Sequence, residues 1–127
     1  MSAQSFCISI DDIHSAARNM KSVAVYTPML ESQYLNDIAG RRVLVKAEVL
    51  QRTGSFKFRG AWNAITALDE SVRQRGVIAY SSGNHAQGIA CAASLYGIPA
   101  IIVMPEDSPA LKLANTKALG ARVVTYD

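Results

Sequence analysis

Two short segments concentrate the side chains that could do chemistry. Lys57 stands in TGSFKFRGA (Thr53 to Ala61), and SSGNHAQG (Ser81 to Gly88) follows about one strand–helix unit later. The apolar spacing of Ala61, Trp62, Ala64, Ile65 and Leu68 predicts a helix from Phe56 to Leu68, so Lys57 falls in its opening turn. A cation there works against the helix dipole. The dipole, with partial burial by Phe56 and Phe58, favours a neutral amine able to condense with a carbonyl. Ser81, Ser82, Gly83, Asn84 and His85 form a turn of small polar groups at the start of another helix. Gly83 allows a tight turn and close ligand approach. The two hydroxyls, the Asn84 amide and successive backbone N–H groups make a cup of donors suited to a carboxylate. Each segment also has a plainer reading: a solvated lysine, and a helix cap of the kind Ser and Asn routinely supply. The residue types alone leave both open.

The elements that must hold these segments follow from periodicity. Ser9, with Asp12 three positions on, reads as an N-cap, and Ile10, Ile13, Ala17 and Met20 give a helical apolar stripe. Thr27-Pro28 forces an extended segment, and the alternation in RVLVKAE (Arg42 to Glu48) predicts a strand. Beyond Gly76 the pattern becomes regular. It predicts strands at Val77–Tyr80, Ala100–Met104 and Arg122–Thr125, with helices at Asn84–Tyr96 and Pro109–Leu119 between them. Strand–helix alternation with short loops implies a parallel sheet with right-handed crossovers, an α/β fold. Ser81 to His85 then lies at the carboxyl end of a strand, where open α/β sheets bind ligands.

Bulk properties narrow the function classes. The chain has 127 residues, half of them apolar, which suits one globular domain. Its net charge of +3 is dispersed, only Arg41 and Arg42 adjoin, and no aromatic residues interleave with a basic run, so no nucleic-acid partner is expected. No run approaches the ~20 apolar residues that span a bilayer. The first residues lack the basic and apolar regions of a secretory signal, so a reducing, cytoplasmic setting is the default. Cys7 and Cys91 have no metal-like spacing, and Cys91 reads as a small buried apolar residue. No metal is expected. A three-stranded parallel sheet has exposed edges and uncovered faces, which suggests the N-terminal portion of a longer protein.

TGSFKFRGA and SSGNHAQG, in this order and spacing, resemble the serine/threonine dehydratase family of pyridoxal-phosphate enzymes, which have the tryptophan-synthase-β-like fold (fold type II, a three-layer parallel-sheet architecture). The similarity runs from about Tyr26-Thr27-Pro28 through Gly97 to Ala121 and on to the last residue. It implies that Lys57 forms the Schiff base with pyridoxal 5'-phosphate and then acts as the base at the substrate Cα. Phe56 would lie against the cofactor ring and Asn84 would donate to its phenolic oxygen. Ser81, Ser82, Gly83, Asn84 and His85 would bind the amino-acid carboxylate, His85 through its backbone or structurally rather than as a proton carrier. Ser82 matches the position where racemising relatives keep a second acid/base group. Arg59 is expected in a structural ion pair. The implied reaction is dehydration and deamination of a hydroxy amino acid such as threonine or serine to a 2-oxo acid and ammonia.

On the family's map, residues 1–70 are the front of the large cofactor-binding domain and 71–127 an incomplete small one, with Lys57 and Ser81 to His85 facing each other across a cleft. The family's phosphate-cradling glycine loop and the residue that meets the pyridine nitrogen have no counterpart in this segment. A homo-oligomer, dimer or tetramer, is expected for the full-length enzyme. Three readings follow: part of an active dehydratase (or of a racemase of the same family), a catalytically incompetent remnant or interaction module, and a flavodoxin-like nucleotide binder that would leave the Lys57 segment unexplained.

Overall fold

The computed structural model describes residues 8–127, which leaves Cys7 outside. Helix α1 (Ile10–Met20) starts as the sequence predicts. Ser9 Oγ accepts from the Asp12 N–H at 3.2 Å, and the Asp12 carboxylate accepts from the Ser9 N–H at 2.7 Å. This reciprocal cap satisfies two donors that a helix start leaves open. The apolar stripe behaves differently. Ile10 and Ile13 are 62% and 57% exposed, and only Met20 packs against the core. α1 is held at its far end, where the Trp62 indole donates to the Asn19 carbonyl at 3.0 Å.

Strand β1 (Met29–Glu31) pairs antiparallel with β2 (Leu44–Lys46), with helix α2 (Gln33–Ala39) between them. The strand predicted over Arg42–Glu48 is thus only three residues long. At Glu48 the chain turns into two 3-10 segments, Glu48–Leu50 and Arg52–Gly54, which lead into α3 (Lys57–Thr66). Thr53 sits in that passage at φ 60°, ψ 15°, a left-handed conformation that β-branched residues rarely adopt.

After the short α4 (Glu70–Arg73), strands β3 (Val77–Tyr80), β4 (Ala100–Pro105) and β5 (Arg122–Tyr126) form a parallel sheet in sequential order, linked by α5 (Asn84–Tyr96) and α6 (Ala110–Ala118). Two crossovers of one hand and one direction put both helices on the same face. Ala100, Ile102 and Met104 of β4 are buried toward them, with Val77, Ala79 and Val123 beside. On the opposite face Ile78 and Tyr80 are 71% and 79% exposed. Uncovered faces were the expectation, and one face is uncovered.

Helix α5 is the centre of the fold. Every residue from Ala86 to Ala93 is buried, because the sheet lies on one side and α3 on the other. A helix enclosed in this way is apolar on nearly every side, Gln87 being the one buried polar side chain in that run. The α3 side is small, built from alanines and Gly88, so the large residues come from α3. Phe58, Ala61, Trp62 and Ile65, at i, i+3, i+4 and i+7, are its buried stripe. Trp62 stacks on Tyr96 with centroids 4.5 Å apart, and Phe58 tilts against Trp62 at 6.1 Å. Cys91 is buried here as expected, and burial pushes its thiol pKa up.

Candidate active site

The two chemistry-bearing segments meet where α3 crosses α5. A Cβ at Gly88 would stand 3.1 Å from the Lys57 carbonyl carbon and oxygen and 3.2 Å from the Phe58 nitrogen. That is tighter than most Cβ contacts, so a methyl group there would require the Lys57 peptide to give by a few tenths of an ångström. Gly88 follows Asn84 by four residues, so the Lys57 peptide lies about 6 Å, one helical turn, along α5 from Asn84.

Lys57 is the first residue of α3 and is exposed. Its Nζ is 5.2 Å from the centroid of the Phe56 ring, which is itself 60% exposed. The expected burial of the amine by two phenylalanines is therefore not found. Phe58 takes the inward position of the α3 stripe and is fully buried in the core, away from Lys57's exposed side. Phe56 precedes the helix and stays at the surface beside the amine.

The opening turn of α3 is held by an ion pair. Arg59 donates from Nε and Nη2 to Glu48 Oε2 and Oε1, both at 2.7 Å. Thr27 Oγ1 donates to Glu48 Oε1 at 2.6 Å, and Lys46 Nζ donates to the Thr27 carbonyl at 2.9 Å. The Arg59 hydrogen bonds hold the Glu48 carboxyl down at about 2, aided by Thr27 and nearby positive charge and opposed by burial. The Arg59 guanidinium is raised in turn. Paired carboxylate–guanidinium geometry of this kind fixes orientation as well as charge, so the expected structural role of Arg59 is found.

Ser81 continues the sheet by one step, its N–H donating to the Val103 carbonyl at 3.0 Å. Gly83 is the N-cap of α5, and no side chain caps that helix. The plain helix-cap reading of Ser81, Ser82 and Asn84 is therefore not what these side chains do. Ser81 Oγ accepts only a long bond from the Gly83 N–H, at 3.3 Å. The N–H groups of Asn84 and His85 open the helix, where the dipole and free donors favour an anion. Ser82, Asn84 and His85 are exposed, and Ser81 and Gly83 half-buried. A residue that sequence reasoning missed enters here: Lys112 of α6 donates to Asn84 Oδ1 at 2.6 Å. Nothing local in ALKLANTK marks it, since its partner is 28 positions away.

A cleft of about 440 Å³ lies nearby, lined by Arg52, Thr53, Gln87, Cys91, Asn115, Ala118 and Leu119, and it includes neither Lys57 nor Ser81 to His85. The amine and the donor turn lie on open surface. They have the features a pyridoxal-phosphate site draws on: an accessible amine, an exposed aromatic ring beside it, and an uncapped helix start one turn from the lysine's peptide.

Comparison with known proteins gives the family and the fold. Residues 21–127 match the family described as pyridoxal-phosphate dependent enzyme. An L-threo-3-hydroxyaspartate ammonia-lyase of Pseudomonas sp is 54% identical over 119 residues, covering 94% of this chain and 37% of that protein. An L-threonine ammonia-lyase of Thermotoga maritima is 49% identical over 117 residues, covering 92% of this chain and 29% of that protein. The solved structure of maize serine racemase overlays with a TM-score of 0.91 at 39% identity, covering 96% of this chain and 37% of that one. The chain thus spans about a third of the length of the relatives it matches. A match over residues 21–127, the span that holds Lys57, the Ser81–Gly88 turn and the parallel sheet, makes this chain a member of the pyridoxal-phosphate-dependent enzyme family, with the fold type II architecture.

Proposed function

We propose that this chain carries the lysine and the carboxylate grip of an enzyme that dehydrates and deaminates a hydroxy amino acid, such as threonine, serine or 3-hydroxyaspartate, to a 2-oxo acid and ammonia. The observation that carries this reading is the contact of Gly88 with the Lys57 peptide, which fixes the amine's helix against the donor turn. When bound, pyridoxal phosphate supplies an electron sink for negative charge at the substrate Cα. Lys57 would hold it covalently and, once released, take the proton from the substrate Cα. Phe56 would offer its ring as an apolar face to the cofactor, and Asn84 would donate through Nδ2 to its ring oxygen. Ser81, Ser82, Gly83, Asn84 and His85 grip the carboxylate, His85 through its N–H. Holding the carboxylate fixes the orientation of the Cα–H bond toward the lysine.

A racemase is the second reading. It is supported by the likeness to serine racemase and by Ser82, whose exposed hydroxyl is free to act as an acid or base. In both readings residues 1–70 belong to the large domain and 71–127 to the small one, and the full-length enzyme is a cytoplasmic homo-oligomer. The test is to add pyridoxal phosphate, reduce with borohydride and map the label by peptide analysis. Label on Lys57 that disappears in Lys57→Ala is the expected result. No label on the wild-type chain, or equal label in Lys57→Ala, removes the catalytic reading.

A further inference from the structure

We propose that Lys112 is a positioning residue of this site, which fixes the Asn84 amide in the one orientation that presents a donor. The inference rests on the reading of Asn84 given above and adds a residue to it. Lys112 Nζ lies 2.6 Å from one branch of the Asn84 amide. An ammonium has three donors and no acceptor. The branch it touches must therefore be the oxygen, and Nδ2 with its two N–H donors occupies the other. An asparagine side chain alone can turn over and present either atom, because the two ends are alike in shape. Against a ring oxygen that carries negative charge the two ends are opposites: Nδ2 attracts it and Oδ1 repels it. Lys112 removes the wrong half of that choice before a ligand arrives. Its charge also polarises the amide and strengthens the N–H donors on the far side.

The fold explains why α6 supplies this group. α5 and α6 lie side by side on one face of the sheet, and α6 has Pro109 at its N-cap. Lys112, in the first turn of α6, thus reaches the first turn of α5. The Asn84 Oδ1–Lys112 bond is the one side-chain hydrogen bond that joins these two helices among the described residues.

The test compares the wild-type chain with Lys112→Met, Lys112→Arg, Asn84→Ala and the Lys112→Met/Asn84→Ala double variant. Without cofactor, the Asn84 side-chain amide resonances in a ¹⁵N–¹H spectrum should move in Lys112→Met and return toward wild type in Lys112→Arg. With pyridoxal phosphate, Lys112→Met should weaken binding by about two- to tenfold, the cost of ordering one free polar side chain. The absorption of the bound cofactor should shift toward the form with a protonated ring oxygen, and Lys112→Arg should restore both. In the Asn84→Ala background Lys112→Met should add nothing, because its effect passes through the amide. Unmoved amide resonances in Lys112→Met overturn the proposal whether or not Lys57 takes the label. An equal loss of binding in both backgrounds also overturns it, since the lysine would then act on the ligand directly. Absence of label on Lys57 in the wild-type chain sinks the reading of the site instead, and the amide spectrum tells the two failures apart.

Discussion

The α-carbon of Gly88 lies so close to the Lys57 carbonyl that one added methyl group would stand 3.1 Å from it. The start of α3 has little freedom to retreat, since Phe58 is fully buried and Arg59 is tied to Glu48. Gly88→Ala gains helix propensity of about 1 kcal/mol but forces a packed crossing apart at about 1–3 kcal/mol. The expected outcome is a net loss of stability in urea titration. A lower yield of borohydride-trapped label on Lys57 should accompany it, because the amine moves with its peptide.

Acid should loosen the same region through Glu48. Its carboxyl titrates at about 2 in the folded chain against an ordinary value of 4.5. A depressed folded value means the unfolded chain binds the proton first. The stabilisation is therefore complete above about 4.5 and is lost as pH falls toward about 2. Glu48→Gln should lower stability by roughly 1–3 kcal/mol at neutral pH. The gap between the two proteins' urea midpoints should close as the pH is lowered through that window.

Thr53 offers a change in the other direction. A β-branched residue at φ 60° carries strain of about 1–3 kcal/mol, and its buried hydroxyl has no hydrogen-bond partner. Thr53→Gly relieves both and costs about 0.5–1 kcal/mol of added chain entropy. Calorimetry should show Thr53→Gly melting at or above the wild-type temperature, whereas Thr53→Val should not gain.

Trp62 is the only tryptophan in the chain and joins three helices: it stacks on Tyr96 of α5 and donates to Asn19 of α1. Trp62→Ala should cost about 3–5 kcal/mol. In the wild-type chain, tryptophan emission and the helical circular-dichroism signal should change together across a urea titration. Separate transitions would mean that the α3–α5 crossing and the sheet do not unfold as one unit.

The elements beyond Gly76 were legible because their signals are local and strong. β3 and α5 begin and end where apolar runs, Gly83 and Gly97 predict. The stretch between Thr27 and Gly54 was less legible, because long-range polar contacts shape it. Gln51 pairs its side-chain amide with both backbone groups of Val25, and the Asn36 side chain accepts from the Val43 N–H at 2.7 Å. Such bonds end one strand early and create β1 and α2 without an apolar period to announce them. At the site, Lys57 and the Ser81–His85 turn were readable from residue type and order. Lys112 was not, since a helical lysine looks the same in sequence whether it meets water or Asn84.

Gly83 and Gly88 lie five residues apart in one segment yet answer to opposite neighbours. Among the described residues, nothing beyond its immediate chain neighbours comes within 4 Å of where a Cβ at Gly83 would stand, while Gly88 is pressed against Lys57. A methyl group at Gly83 therefore has open space to occupy, and its consequence falls on whatever comes to fill that space. Variation at one glycine would be screened by whether the protein survives, and at the other by whether it works.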